Sequence, residues 1–84
     1  MAKQMTMYSA EGCTQCAQAK PYLKTKGTKY TDIDVDKTPG ALDELKKLTG
    51  GQRLTPVFVI DGEVIIGFNL EKMEAALQGV ETLS

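Results

Sequence analysis

A single α/β domain is the fold class that residues 1–84 predict: a four-stranded mixed sheet with helices on both faces, in the order β-α-β-α-β-β-α. Three observations carry this expectation. In the first half an apolar stretch, a helical stretch and an alternating stretch follow one another, which reads as a right-handed βαβ unit with parallel strands. In the second half V-F-V-I runs into D-G and then V-I-I, the pattern of an antiparallel hairpin. Finally, 84 residues of which 42% are hydrophobic suit one small core and leave little room for a second.

The elements follow in order. M-T-M-Y at residues 5–8 reads as a short strand, and S-A-E-G after it as a loop. A helix is expected over 13–26, with Gly27 as its left-handed cap and Pro21 removing one hydrogen bond near Ala17. Residues 30–35 read as the second strand, with Thr31, Ile33 and Val35 on one face and Asp32 and Asp34 on the other. Thr38 and Pro39 predict the next helix start, a hydroxyl N-cap followed by proline at the first helical position. Leu42, Leu45 and Leu48 give that helix an apolar stripe, and Gly50 and Gly51 end it. Residues 57–60 suit a strand buried on both faces. Asp61 and Gly62 supply its hairpin turn, and residues 64–66 return. Asn69 should cap a last helix whose Leu70, Met73 and Leu77 face inward, with Glu71 and Glu74 near its positive end.

Charge excludes some functions. Ten basic residues against eleven acidic ones leave no basic surface for nucleic acid. The cluster of Lys20, Lys24 and Lys26 reads as the solvated cationic end of a helix. The chain lacks both the apolar run of a secretory signal and the ~20 apolar residues of a membrane span. A cytoplasmic setting is therefore the expectation, and there structural disulfides are rare.

The chemistry rests on Cys13 and Cys16. A Cys-x-x-Cys pair at a helix start places the first sulfur beside unpaired backbone N–H groups and the positive end of the dipole, which favours thiolate. The second sulfur, about one turn on, can attack a mixed disulfide formed at the first. Taken alone, the pair leaves three readings open: half of a zinc site, a structural bridge, or a working dithiol. Zinc finds no histidine and no third cysteine in this chain, so a monomer would need carboxylates or water to complete the site, and a dimer would supply it more naturally.

Further along, T-P precedes the buried strand of the hairpin. With C-T-Q-C after the first strand, Pro21 five residues beyond the second cysteine, and G-Q-R-L-T-P before V-F-V-I-D-G, the chain resembles a glutaredoxin-type member of the thioredoxin superfamily over nearly its whole length. The resemblance implies a thioredoxin-like fold and thiol–disulfide oxidoreductase activity, with Cys13 as nucleophile and Cys16 as resolving thiol. It also implies a cis bond before Pro56. Such a bond costs far less at proline than elsewhere and would let the backbone of Thr55 pair with an extended substrate. Gln15, Gln52, Arg53, Thr55, Pro56, Phe68 and Asn69 are the implied substrate-binding residues. Arg53 would take a glycyl carboxylate, and Asn69 a carboxylate at a helix start.

Glutathione is the candidate reductant by this resemblance, but three positions depart from it. Ala10 stands where glutaredoxins commonly have lysine, Ile66 and Gly67 replace Gly-Gly, and Asn69 and Leu70 replace an acidic or polar pair. Gln15 before the second cysteine and Gly67 and Phe68 before the last helix are similar instead to NrdH-redoxins, hydrogen donors of ribonucleotide reductase that thioredoxin reductase recharges. Protein disulfides or glutathione mixed disulfides as substrates, glutathione or thioredoxin reductase as donor, a monomer and no resident cofactor or metal are the expectation. The alternatives are a dimer holding a [2Fe–2S] cluster and a non-catalytic binding module on the same fold. Glu11, two residues before Cys13, is expected to oppose thiolate formation by like charge if it acts at all.

Overall fold

The seven expected elements form in the predicted order in the computed structural model, which describes residues 4–78. They are β1 (Met5–Ser9), α1 (Thr14–Thr25), β2 (Thr31–Asp34), α2 (Ala41–Thr49), β3 (Val57–Ile60), β4 (Glu63–Ile66) and α3 (Leu70–Ala76). Residues 1–3, part of the stretch read for a secretory signal, lie outside the described residues. The sheet order is β2-β1-β3-β4. Strand β1 runs parallel to β2, with Tyr8 opposite Ile33, and antiparallel to β3, with Met7 opposite Phe58. Strands β3 and β4 are antiparallel, with Phe58 opposite Ile65. This is the thioredoxin-like arrangement, and it makes both predicted pairings.

Alternation along the strands divides the core in two. Met5 and Met7 of β1, Phe58 and Ile60 of β3 and Ile65 of β4 point to one face. There they pack with Cys16, Ala19 and Leu23 of α1 and Met73 of α3. Tyr8 and Val57 point to the other face and pack with Val35 and with Ala41 and Leu45 of α2. Phe58, Met7 and Leu23 are fully buried, each contributing about 1.5–3 kcal/mol by removal from water.

Local signals explain most element ends. Gly27 at φ 68° closes α1 as a Schellman cap: its N–H donates to the Lys24 carbonyl and the Thr28 N–H to that of Leu23, at 3.0 and 3.1 Å. Asp61 and Gly62 both take positive φ, as a type I′ hairpin turn requires. Asn69 caps α3, its Oδ1 accepting the Lys72 N–H at 3.2 Å.

Three expectations need correction. Helix α2 does not start at Thr38 and Pro39. These residues instead form a turn with Gly40 at φ 81°, closed by the Ala41 N–H donating to the Thr38 carbonyl, and the helix begins at Ala41. Proline followed by glycine at positive φ is the type II turn pattern, and it overrides the capping signal. Leu70 does not face inward. It opens α3 and is 55% exposed, and only Met73 of the helix, one turn on, is fully buried. Strand β2 is shorter than expected, leaving Tyr30 and Val35 outside it.

Lys20 is also more than a solvated charge. Its Nζ meets Asp32 Oδ2 at 3.1 Å, and Asp32 Oδ1 accepts the hydroxyl of buried Ser9 at 2.8 Å. This ties α1 to the strand pair beneath it. Among the described residues no helix is long and apolar enough to cross a membrane.

Tyr8 gives the fold an alkaline limit. Burial above all, then the charge of Glu44 and the hydrogen bond its Oε2 accepts from the phenol at 3.4 Å, raise the pKa of Tyr8 above its ordinary 10.0. Tyr30 moves the same way, through burial and then Asp32, with Lys20 opposing. The unfolded chain releases these protons near pH 10 while the folded chain retains them. The stability is therefore present below pH 10 and is lost as pH rises through the raised folded values. Urea unfolding between pH 8 and 11 should show a falling midpoint, with a shallower fall in Tyr8→Phe. An equal fall in both proteins would show that Tyr8 does not set the alkaline limit.

Candidate active site

Topology builds the site. Strands β1 and β2 are parallel, so both end at one edge of the sheet. Strand β3 is antiparallel to β1 and begins at that edge, and β4, antiparallel to β3, ends there. Four loops therefore converge: residues 10–13 after β1, 35–40 after β2, 50–56 before β3, and 67–69 after β4.

Cys13 is the N-cap of α1, in extended backbone at φ −80° and ψ 108°. Gly12 before it takes φ 74°, a left-handed position that turns the chain from the strand into the helix. Cys13 and Cys16 are joined as a disulfide, with Cα atoms 5.2 Å apart. The Cys16 N–H donates to Cys13 Sγ at 3.1 Å, so a donor of the first helical turn faces this sulfur. The two cysteines differ in access: Cys16 is 2% exposed within the α1 core cluster, whereas Cys13 is only partly buried. An incoming disulfide can thus reach Cys13 and not Cys16.

The Thr55-Pro56 bond is cis. Thr55 lines a shallow pocket with Cys13, Ala10, Glu11, Gly12 and Arg53, while Pro56 is fully buried beneath. The Pro56 carbonyl accepts the Gly67 N–H at 2.8 Å, joining the loop before β3 to the loop after β4. Gln15, between the two cysteines, reaches that same loop, its Oε1 accepting the Phe68 N–H at 3.4 Å. The Phe68 ring stands edge-on to Tyr22 of α1, centroids 5.5 Å apart.

The residues expected to bind substrate therefore divide. Thr55 and Arg53 share the pocket of Cys13, with Pro56 beneath them, and Gln15 and Phe68 meet each other across the cysteine loop. Gln52 is exposed and outside that pocket, its carbonyl accepting the Thr49 hydroxyl. The side chain of Asn69 is engaged as the cap of α3. Arg53 is paired within the chain, its Nη2 meeting Asp36 Oδ1.

Asp36 is the site residue that sequence reasoning missed. Its Oδ2 accepts the Glu11 N–H at 3.3 Å, so one carboxylate bridges the cysteine loop and the loop carrying Arg53. The alternation of D-I-D-V-D, continued past the end of β2, was the available signal. The Glu11 carboxylate turns to Lys37, Oε1 to Nζ 3.1 Å, and this pairing raises the pKa of Lys37 by hydrogen bond and charge. The charge expected to oppose Cys13 is thus offset by a neighbour.

Comparisons with known proteins agree with this geometry. The glutaredoxin family model matches residues 5–65. A glutaredoxin-like 8.6 kDa protein of the rubredoxin operon of Clostridium pasteurianum, itself uncharacterised, is 32% identical over 72 residues, covering 86% of this chain and 95% of that protein. The glutaredoxin structure from Archaeoglobus fulgidus superposes with a TM-score of 0.79 at 26% identity, over 94% of this chain and 89% of that one. NrdH-redoxin from Escherichia coli, described as a glutaredoxin-like protein with a thioredoxin-like activity profile, superposes with a TM-score of 0.74 at 26% identity, over 86% and 92%.

Proposed function

Because the chain belongs to the glutaredoxin family, we propose that it is a dithiol carrier that reduces protein disulfides through Cys13 and Cys16. The unequal access of the two sulfurs, with a helix-start N–H on the outer one, is the observation that carries this reading. In the reduced protein the thiolate of Cys13 attacks one sulfur of the substrate disulfide. A mixed disulfide forms, and the other substrate sulfur leaves and takes a proton. Cys16 then gives up its proton and attacks the sulfur of Cys13, expelling the second substrate thiol. One substrate disulfide becomes two thiols as the protein dithiol becomes the Cys13–Cys16 disulfide, so two electrons and two protons are transferred. Thr55, beside Cys13, offers its backbone to the substrate, and Gln15 and Phe68 border the same surface.

Thioredoxin reductase is the electron donor in this proposal. Two of the residues expected to hold glutathione are engaged within the chain, Arg53 by Asp36 and Asn69 by its capping role. The thioredoxin-like activity profile of the structurally similar NrdH-redoxin supports the same choice. The test supplies NADPH with either thioredoxin reductase or glutathione plus glutathione reductase and follows reduction of a protein disulfide. Faster turnover with thioredoxin reductase is expected. Turnover with glutathione alone would overturn the donor, and turnover with neither would overturn the carrier.

A further inference from the structure

We propose that Asp36 is a specificity-determining residue that occupies Arg53 as an internal carboxylate and so disfavours small carboxylate-bearing disulfides at Cys13. The inference rests on the dithiol reading above and adds a substrate class to it. Arg53 and Cys13 line one pocket, so a substrate anion bound at Cys13 would find this guanidinium within reach. The guanidinium is already paired with Asp36, however, and Asp36 is held in place twice. Its Oδ2 accepts the Glu11 N–H at 3.3 Å, and its own N–H donates to Asp34 Oδ1 at 2.9 Å. Lys37, the other cation of this group, is paired with Glu11 at 3.1 Å. Glu11, Asp34 and Asp36 thus outnumber Lys37 and Arg53, and the entrance presents no excess positive charge to an incoming anion.

The magnitude follows from exposure. The Arg53 and Asp36 side chains are 50% and 34% exposed, and ion pairs this close to water are weak. Asp36 therefore slows an anionic disulfide several-fold and does not exclude it. A disulfide with a neutral flank never competes for Arg53 and is unaffected.

The test uses stopped-flow reaction of the reduced protein with two reagents that need no electron donor. These are 5,5′-dithiobis(2-nitrobenzoate), which carries carboxylates, and neutral 4,4′-dithiodipyridine. Asp36→Asn removes the charge and keeps a side-chain oxygen to accept the Glu11 N–H. It should raise the initial rate with the anionic reagent about three- to fivefold and leave the neutral rate within about 1.5-fold. In an Arg53→Gln background the same substitution should give less than half of that gain, because the freed guanidinium is its source. An unchanged anionic rate, an equal gain with both reagents, or a full gain without Arg53 would overturn the role of Asp36. In each of those cases a normal neutral rate leaves the dithiol reading intact. Absence of reaction with the neutral reagent would overturn both.

Discussion

Cys13→Ser should bring disulfide turnover to the uncatalysed background, a loss of more than about a thousandfold, in the range for removal of a covalent nucleophile. The chemistry leaves no substitute. A serine hydroxyl does not ionise near neutral pH and cannot share a disulfide bond. Cys16 cannot take over either, since at 2% exposure it lies in the core cluster with Ala19, Leu23 and Phe58. The substitution itself is mild, because position 13 is an N-cap where serine is among the preferred residues. A folded, inactive protein is therefore the expected product, measured by NADPH consumption in the coupled assay. Activity within tenfold of wild type would mean that another group performs the attack.

Removing Cys16 should cost nearly as much turnover, by a different route. Without the resolving sulfur the first exchange still occurs at Cys13, but the mixed disulfide has no partner 5.2 Å away in Cα to displace it. Turnover with protein disulfides should fall by at least about a hundredfold, since release must then await a thiol from solution. Serine at this buried position brings a hydroxyl into an apolar cluster at a cost of about 1–3 kcal/mol. Cys16→Ala is therefore made alongside it and should give the same kinetic result. Retention of full turnover by both variants would show that Cys16 is not the resolving thiol.

Much of this site was legible in the sequence because its signals are local. Cys13 and Cys16 sit within one helical turn, Asp61 and Gly62 specify their own hairpin, and Gly27 closes α1 with its immediate neighbours. The stretch around Thr55 and Pro56 was recognisable by family pattern, and the cis bond implied there is present. What escaped was long-range pairing. Asp36 and Arg53 lie 17 residues apart, and Gln15 and Phe68 lie 53 apart. They meet only because the strand directions bring four loops to one edge. Local signals also conflicted in places. Thr38 and Pro39 resemble a helix start, yet Gly40 after them closes a turn at positive φ, and α2 begins only at Ala41, which packs with Leu45 against Tyr8 and Val57. Leu70 matched an inward spacing but is exposed at the first position of α3, while Met73 one turn on is buried.

Attack by Cys13 and resolution by Cys16 can be separated by mass spectrometry of reduced Cys16→Ser protein mixed with a disulfide-containing peptide. A stable adduct of one peptide thiol, mapped to Cys13, is the expected product, whereas wild type under the same conditions ends as the Cys13–Cys16 disulfide with both peptide thiols free. No adduct in the variant, or a persistent peptide adduct in wild type, would contradict it.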